Sequence, residues 1–280
     1  MQNAKHLNLN LLKTTRSFIK DRDSMITLTE LIKEMMLQEE LVQSDAWKAI
    51  QKTLEILKKK KKVLLLSCSN RYNWDEDSID IPKSKMIAMY LHSQLVNNSV
   101  LIDIPELNIE CCEGNVSRKD GNSCGVLKAA LKDKEKNPSG HHRCWASINN
   151  PKDELWKVSK ELFESDAVIF FSSIRWGQAN KYYQNLIERL TWIENRHATL
   201  GESNLIKDVQ SGFICVGQNW NGEVVTETQK QVHKFYGFKP NNDLYWNWQY
   251  TKNINDETKQ SYKNSHKKFI ADTKIPENTK

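Results

Sequence analysis

The sequence has no long apolar run, no glycine-rich turn after its first strand and no paired cysteine motif, and each absence removes a class of protein. Purely apolar stretches such as Ala167 to Phe171 fall far below the ~18 residues a membrane span needs, so no membrane partner is expected. Met1 to Lys20 contains no uninterrupted apolar core of a secretory leader, and reduced thiols in a cytoplasmic protein are the expectation. The cysteines at 68, 111, 112, 124, 144 and 215 include an adjacent pair and a His141-His142-Arg143-Cys144 run, but not the C-x-x-C spacing of structural zinc. No metal site is therefore expected. Lys and Arg number 41 against 35 Asp and Glu, a formal charge of +6 spread over the whole chain. That balance suits an anionic small molecule, and without basic residues clustered among aromatics it gives no nucleic-acid partner. The one dense run, Lys58 to Lys62, reads as a solvated turn ahead of a strand.

What remains is alternation. At 280 residues, with 39% hydrophobic and 27% charged residues, the chain is long enough for one sizeable domain with extensions. Residues 1–58 read as an N-terminal helical extension: Leu28, Leu31, Ile32, Met35 and Met36 recur at helical spacing. Trp47, Ile50, Leu54, Ile56 and Leu57 form another stripe, which Ser44-Asp45 is placed to cap. Residues 59–280 then alternate strands and helices. Apolar strands are expected at Val63–Leu66, from Ser99 to Pro105, and at Ala167–Phe171, Gly212–Val216 and Leu244–Tyr250. Helices are expected near 84–96, 151–164, 181–196, 224–236 and 256–272. The pattern predicts an α/β fold with a doubly wound parallel sheet of five strands. The polar, irregular segment 106–151 is too long for a plain connection and reads as an insertion.

Polar loops follow three of these strands. The first carries Ser67, Ser69, Asn70 and Arg71 and ends at Lys83, Ser84 and Lys85, where helical spacing resumes. The first N–H groups of a helix lack partners and sit at the positive end of its dipole, so hydroxyl, guanidinium and ammonium groups gathered there suit a phosphate. The loop is too long and too poor in glycine for a Rossmann or Walker turn. The second loop is Ser172-Ser173-Ile174-Arg175-Trp176-Gly177-Gln178, and the third includes Gly217, Gln218, Asn219 and Trp220. Together they suit one planar ligand bearing a phosphate, held in the crevice beyond the strand ends.

Over roughly Lys62 to Phe238 the chain resembles the flavodoxin-like NAD(P)H-dependent FMN reductases, the family that includes multimeric flavodoxins and iron-sulfur flavoproteins. Cys68-Ser69-Asn70-Arg71 is similar to that family's G-S-x-R phosphate loop with cysteine in place of glycine, and Ser84 to its hydroxyl at the helix start. Tyr72 to Ile81 is an added stretch. Ser172 to Gly177 resembles the family's T-P-x-Y/W-x-G segment, with Ser173 in place of proline, and Lys181, Leu186 and Arg189 resemble its K-x-x-x-D-R helix. The resemblance implies a five-stranded sheet in order 2-1-3-4-5, bound FMN, and NAD(P)H as co-substrate. It places no catalytic side chain, because the flavin N5 does the chemistry. Ser69, Arg71 and Ser84 would anchor phosphate, residues 174–178 with the Trp176 ring would position the flavin, and Gln218 and Asn219 would meet its carbonyl edge. The implied partners are a small-molecule electron acceptor and further copies of the chain, as a homo-dimer or homo-tetramer. A flavodoxin-type electron carrier and a cofactor-free scaffold are the alternatives.

Overall fold

The computed structural model describes residues 44–70, 73–75, 78–217, 220–251 and 253–276. The expected extension over residues 1–43, together with Arg71, Gln218 and Asn219, lies outside the described residues. Residues 44–280 form one compact unit. It opens with α1 (Asp45–Leu57), where Ser44 caps the first turn by accepting the Trp47 N–H. The chain continues through β1 (Val63–Ser67), a small antiparallel hairpin of β2 (Asn73–Asp75) and β3 (Ser78–Asp80), α2 (Lys83–Gln94) and β4 (Ser99–Asp103). After the insertion, which contains α3 (Trp145–Asn149), come α4 (Leu155–Leu162), β5 (Ala167–Arg175), β6 (Gln178–Ala179) and α5 (Lys181–Ala198). The last elements are β7 (Gln210–Gly217), α6 (Gly222–Tyr236), β8 (Lys239–Gln249) and α7 (Lys259–Thr273).

The main sheet runs β4-β1-β5-β7-β8, with all four pairings parallel. Counted as the main parallel strands, that order is 2-1-3-4-5, the flavodoxin-like arrangement that the resemblance implies. The period of two decides what goes where. Leu64, Leu66, Val168, Phe170, Phe213 and Cys215 face one way, onto α4, α5 and α6 through Leu155, Val158, Tyr183, Leu186 and Val225. Val63, Leu65, Ile169, Phe171, Ile214 and Val216 face the other way, onto α1, α2 and α7 through Ile50, Leu54, Met86, Ile87, Leu91 and Phe269. Both faces are covered, which is why the strands read as continuous apolar runs. Residues 44–276 thus form a three-layer sandwich. α1, placed by sequence within the extension, supplies core to it: Ile50 and Leu57 are fully buried.

Two strands outrun their sequence limits. The edge strand β8 starts at Lys239, and its register jumps from Ser211↔Pro240 to Phe213↔Tyr245, so that Asn241 to Leu244 stand against the single residue Gly212. Gly212 lies opposite this bulge, and a Cβ there would stand 2.6 Å from the Leu244 Cβ. β5 continues four residues past Phe171, since Ser172 and Ser173 still pair with Cys215 and Val216.

The insertion lies along α5. Asn185 donates to the Ile109 carbonyl at 3.0 Å, Asn195 to the Cys124 carbonyl at 2.6 Å and Arg196 to the His141 carbonyl at 2.9 Å. At the centre, fully buried Arg189 donates to both carboxylate oxygens of Asp153, at 2.7 and 3.0 Å, and to Ser147 Oγ at 3.0 Å. The arginine that resembles a flavin-family residue is therefore the clamp of the insertion.

Candidate functional site

The switch in strand order falls between β1 and β5, and β1 ends level with Phe171 of β5: Ser67 pairs with Phe171, and the Cys68 N–H donates to the Phe171 carbonyl at 2.8 Å. Beyond that level the first two polar loops are bonded to each other. Ser69 Oγ lies 3.3 Å from Ser173 Oγ. The side-chain oxygen of Asn70 accepts from the Arg175 guanidinium at 2.9 Å, and its amide donates to the Tyr182 hydroxyl at 3.2 Å. Buried Asn180 organises the second loop from below. Its oxygen caps α5 by accepting the Tyr182 and Tyr183 N–H groups, and its amide donates to Ser172 Oγ at 3.0 Å and Ser173 Oγ at 3.1 Å.

The first turn of α2 forms the neighbouring wall. Pro82 begins the helix without a side-chain cap, and no acidic residue occupies the first turn. Lys83, Ser84 and Lys85 stand there instead, with the Lys85 ammonium paired to Asp103 at the end of β4. Ser67 Oγ and Ser84 Oγ are both buried and have no hydrogen-bond partner among the described residues. Buried hydroxyls are ordinarily satisfied. Two orphans at a strand end and at an uncapped helix start are the donor set an anionic oxygen requires, so the residues present fit a phosphate.

The second loop differs from its expected form. Residues 172–175 belong to β5, and Arg175 pairs with Gln178 across a two-residue turn made by Trp176 and Gly177. Both turn residues have positive φ, +52° and +69°, as the primed hairpin turns require. Ser172 is consequently fully buried and its hydroxyl serves Asn180, while Ile174 packs into the core and against Gly217. Neither side chain is presented to a ligand. The third loop closes on the hairpin: a Cβ on Gly177 would lie 2.5 Å from the Trp220 ring, and Asn221 donates to the Gly177 carbonyl.

The structure thus brings together Ser67, Ser69, Lys83, Ser84 and Lys85 on one side, and Ser173, Arg175, Trp176, Gly177, Gln178 and Trp220 on the other. Sequence reasoning missed Asn180 and Asn221, which hold the hairpin in place. An asparagine immediately before an apolar-periodic helix was the available sign for the first. Burial, with Asp103 nearby, pushes the Cys68 thiol well above its ordinary value and keeps it neutral. What the crevice offers is donors for a phosphate and a rigid backbone edge for a planar group.

No family model and no curated protein sequence matches the chain. Among solved structures, the chain is similar to RosB with bound 8-demethyl-8-formylriboflavin-5'-phosphate, at 14% identity and a TM-score of 0.45, over 76% of this chain and 75% of that one. It is also similar to an azoreductase from Bacillus anthracis str. Sterne, at 14% identity and a TM-score of 0.41, over 76% and 99% of the two chains. A third is the NAD(P)H:quinone oxidoreductase from Methanothermobacter marburgensis, at 10% identity and a TM-score of 0.40, over 77% and 99%.

Proposed function

We propose that the chain is an FMN-dependent NAD(P)H oxidoreductase. The observation that carries the proposal is the pair of buried, unpartnered hydroxyls, Ser67 and Ser84, at the uncapped start of α2 beside the strand switch point. In this reading Ser67, Ser69 and Ser84 donate to the FMN phosphate. Lys83 and Lys85 supply positive field, and Arg71 adds a guanidinium on the argument of the sequence alone. The backbone of residues 174–178, locked by Asn180 and Asn221, forms the edge against which the ring system rests. Gln218 and Asn219, from their sequence positions, donate to the carbonyl edge of the ring. When bound, FMN supplies hydride chemistry, accepting from NAD(P)H and reducing a flavin, quinone or similar acceptor. The protein's share is orientation and electrostatics. We further propose a homo-dimer or homo-tetramer, to be tested by sedimentation at micromolar concentration.

The test is a visible spectrum of the purified protein titrated with FMN, followed by anaerobic NAD(P)H. Stoichiometric uptake and bleaching of the flavin band are expected. Uptake without bleaching would leave an electron carrier, and no uptake would leave a cofactor-free scaffold.

A further inference from the structure

The outermost strand of the sheet is protected over only half its length. β8 pairs with β7 on one side and, among the described residues, with no strand on the other, so it presents the unpaired N–H and C=O groups of an edge. Edges are ordinarily blunted by charge, proline or a bulge. Lys239, Pro240, Asp243 and the bulge opposite Gly212 do this for the first half. The second half, Tyr245-Trp246-Asn247-Trp248-Gln249, has no charge and no proline, and it holds one unbroken register against Phe213 to Gly217. Its rings are fixed: the Trp246 indole N–H donates to Thr53 at 3.1 Å and that of Trp248 to Asp272 at 2.9 Å. A flat, uncharged, rigid edge is a template for another strand. The helix beside it supplies an independent sign. A cleft of about 280 Å³ lies between α6 and the strand, where Glu223, Glu227 and Lys230 face Tyr245, Trp246 and Asn247. Lys234, one turn beyond Lys230, continues the same flank at helical spacing and is exposed. That flank is acidic in its first half and basic in its second.

We infer that β8 is the interface with a second copy of the chain, whose own β8 pairs antiparallel with this one to make a single continuous sheet. A strand edge by itself accepts any extended peptide; the charge order on α6 is what selects a copy of this chain. A two-fold contact needs a surface complementary to itself. Two α6 helices laid antiparallel on the same face of the joined sheet set Glu223 and Glu227 of each against Lys234 and Lys230 of the other. An axis through Asn247 then puts Tyr245 opposite Gln249 and Trp246 opposite Trp248, aromatic pairing of the kind that stabilises strand contacts. Because the two sheets run in opposite directions, the crevices beyond β1 and β5 open at opposite ends and neither copy covers the other's. This is the surface of the dimer proposed above, and it stands apart from the FMN reading.

The experiment is sedimentation velocity of the full chain across the micromolar range, with a cooperative thermal melt as the check that each variant is folded. Wild type should sediment as a dimer. Glu223→Lys with Glu227→Lys sets like charges opposite each other and should raise the dimer dissociation constant about a hundredfold. Adding Lys230→Glu and Lys234→Glu restores opposite charges in reversed order, and affinity should return to within about tenfold of wild type. Asn247→Lys, which brings two ammonium groups together at the axis, should give monomer. A dimer that neither the reversal nor Asn247→Lys weakens would overturn this surface while leaving the dimer itself in place. Weakening by the reversal without recovery in the quadruple variant would also overturn it, since the helices then do not face each other. Wild type that stays monomeric throughout would remove both the surface and the dimer, with FMN uptake deciding the cofactor separately.

Discussion

Ser84 and His233 are buried polar residues with opposite fortunes, and each predicts a measurement. Ser84 Oγ has no hydrogen-bond partner among the described residues, so Ser84→Ala removes an unsatisfied donor and should leave thermal stability unchanged or slightly raised. The same change should weaken FMN binding about tenfold, since a hydrogen bond to a charged group contributes roughly 1.5–3 kcal/mol. Equal FMN affinity in both proteins would sink the assignment. His233, by contrast, is fully satisfied: it accepts the Tyr245 hydroxyl at 2.9 Å on Nδ1 and donates to the Tyr183 hydroxyl at 3.0 Å from Nε2, and Tyr183 donates on to Gln229. Burial holds its pKa down to about 3, and holds buried His142 down to about 4, against an ordinary value of 6.5. Because the folded values lie below the unfolded one, the unfolded chain binds more protons between pH 4 and 6. The stability these histidines contribute is therefore complete above pH 6.5 and drains away on acidification. Urea midpoints followed from pH 7 to pH 4 should fall with a slope approaching about two protons, and His233→Gln should remove about one of them. A flat profile in wild type would contradict this.

At the scale of elements, the insertion and the β5–β6 hairpin are both fastened from α5. The Arg189–Asp153 pair is fully buried, and removing one partner of such a pair strands the other charge, at a cost of about 3–5 kcal/mol. Arg189→Leu should lower stability by that order and open the insertion to limited proteolysis between residues 110 and 150. The double change Arg189→Leu with Asp153→Leu should recover part of the loss. If the single change is as resistant to protease as wild type, the clamp is not what holds the insertion. The β7–β8 bulge offers a second check on an element. Gly212→Ala would set a methyl group 2.6 Å from the Leu244 Cβ and 2.7 Å from Ile169 Cδ1. Overpacking of this kind costs about 1–3 kcal/mol, readable as a fall in melting temperature.

At the scale of the whole molecule, α1 completes the layer that also contains α2 and α7. Ile50, Leu54 and Leu57 are 0%, 4% and 0% exposed, and fully burying such a side chain contributes about 1.5–3 kcal/mol. Three of them approach the entire net stability of a typical domain, about 5–15 kcal/mol. A chain begun at Lys59 should therefore be recovered insoluble or without a cooperative melt, and a transition within a few degrees of wild type would show α1 to be dispensable. No helix among the described residues is long and apolar enough to cross a membrane.

The sequence by itself determined the fold. Continuous apolar strands between amphipathic helices can be covered only as a parallel sheet with helices on both faces, and the polar loops then have to gather beyond the strand ends. The anion site proposed for the first turn of α2 was legible in the sequence as well, because the hydroxyl and basic residues at 83–85 stand next to one another in the chain. Only the tertiary structure decided which of the loop residues are buried in the strand ladder and which stay at the crevice. Whether Ser172 and Ile174 belong to a loop or to a strand depends on partner strands: β7 extends the ladder past Phe171 to Ser173, and β6 pairs with Ile174. Arg189 gained its role the same way. Its partner Asp153 is 36 residues distant and meets it only when the insertion folds back along α5, and no local pattern encodes a contact of that separation.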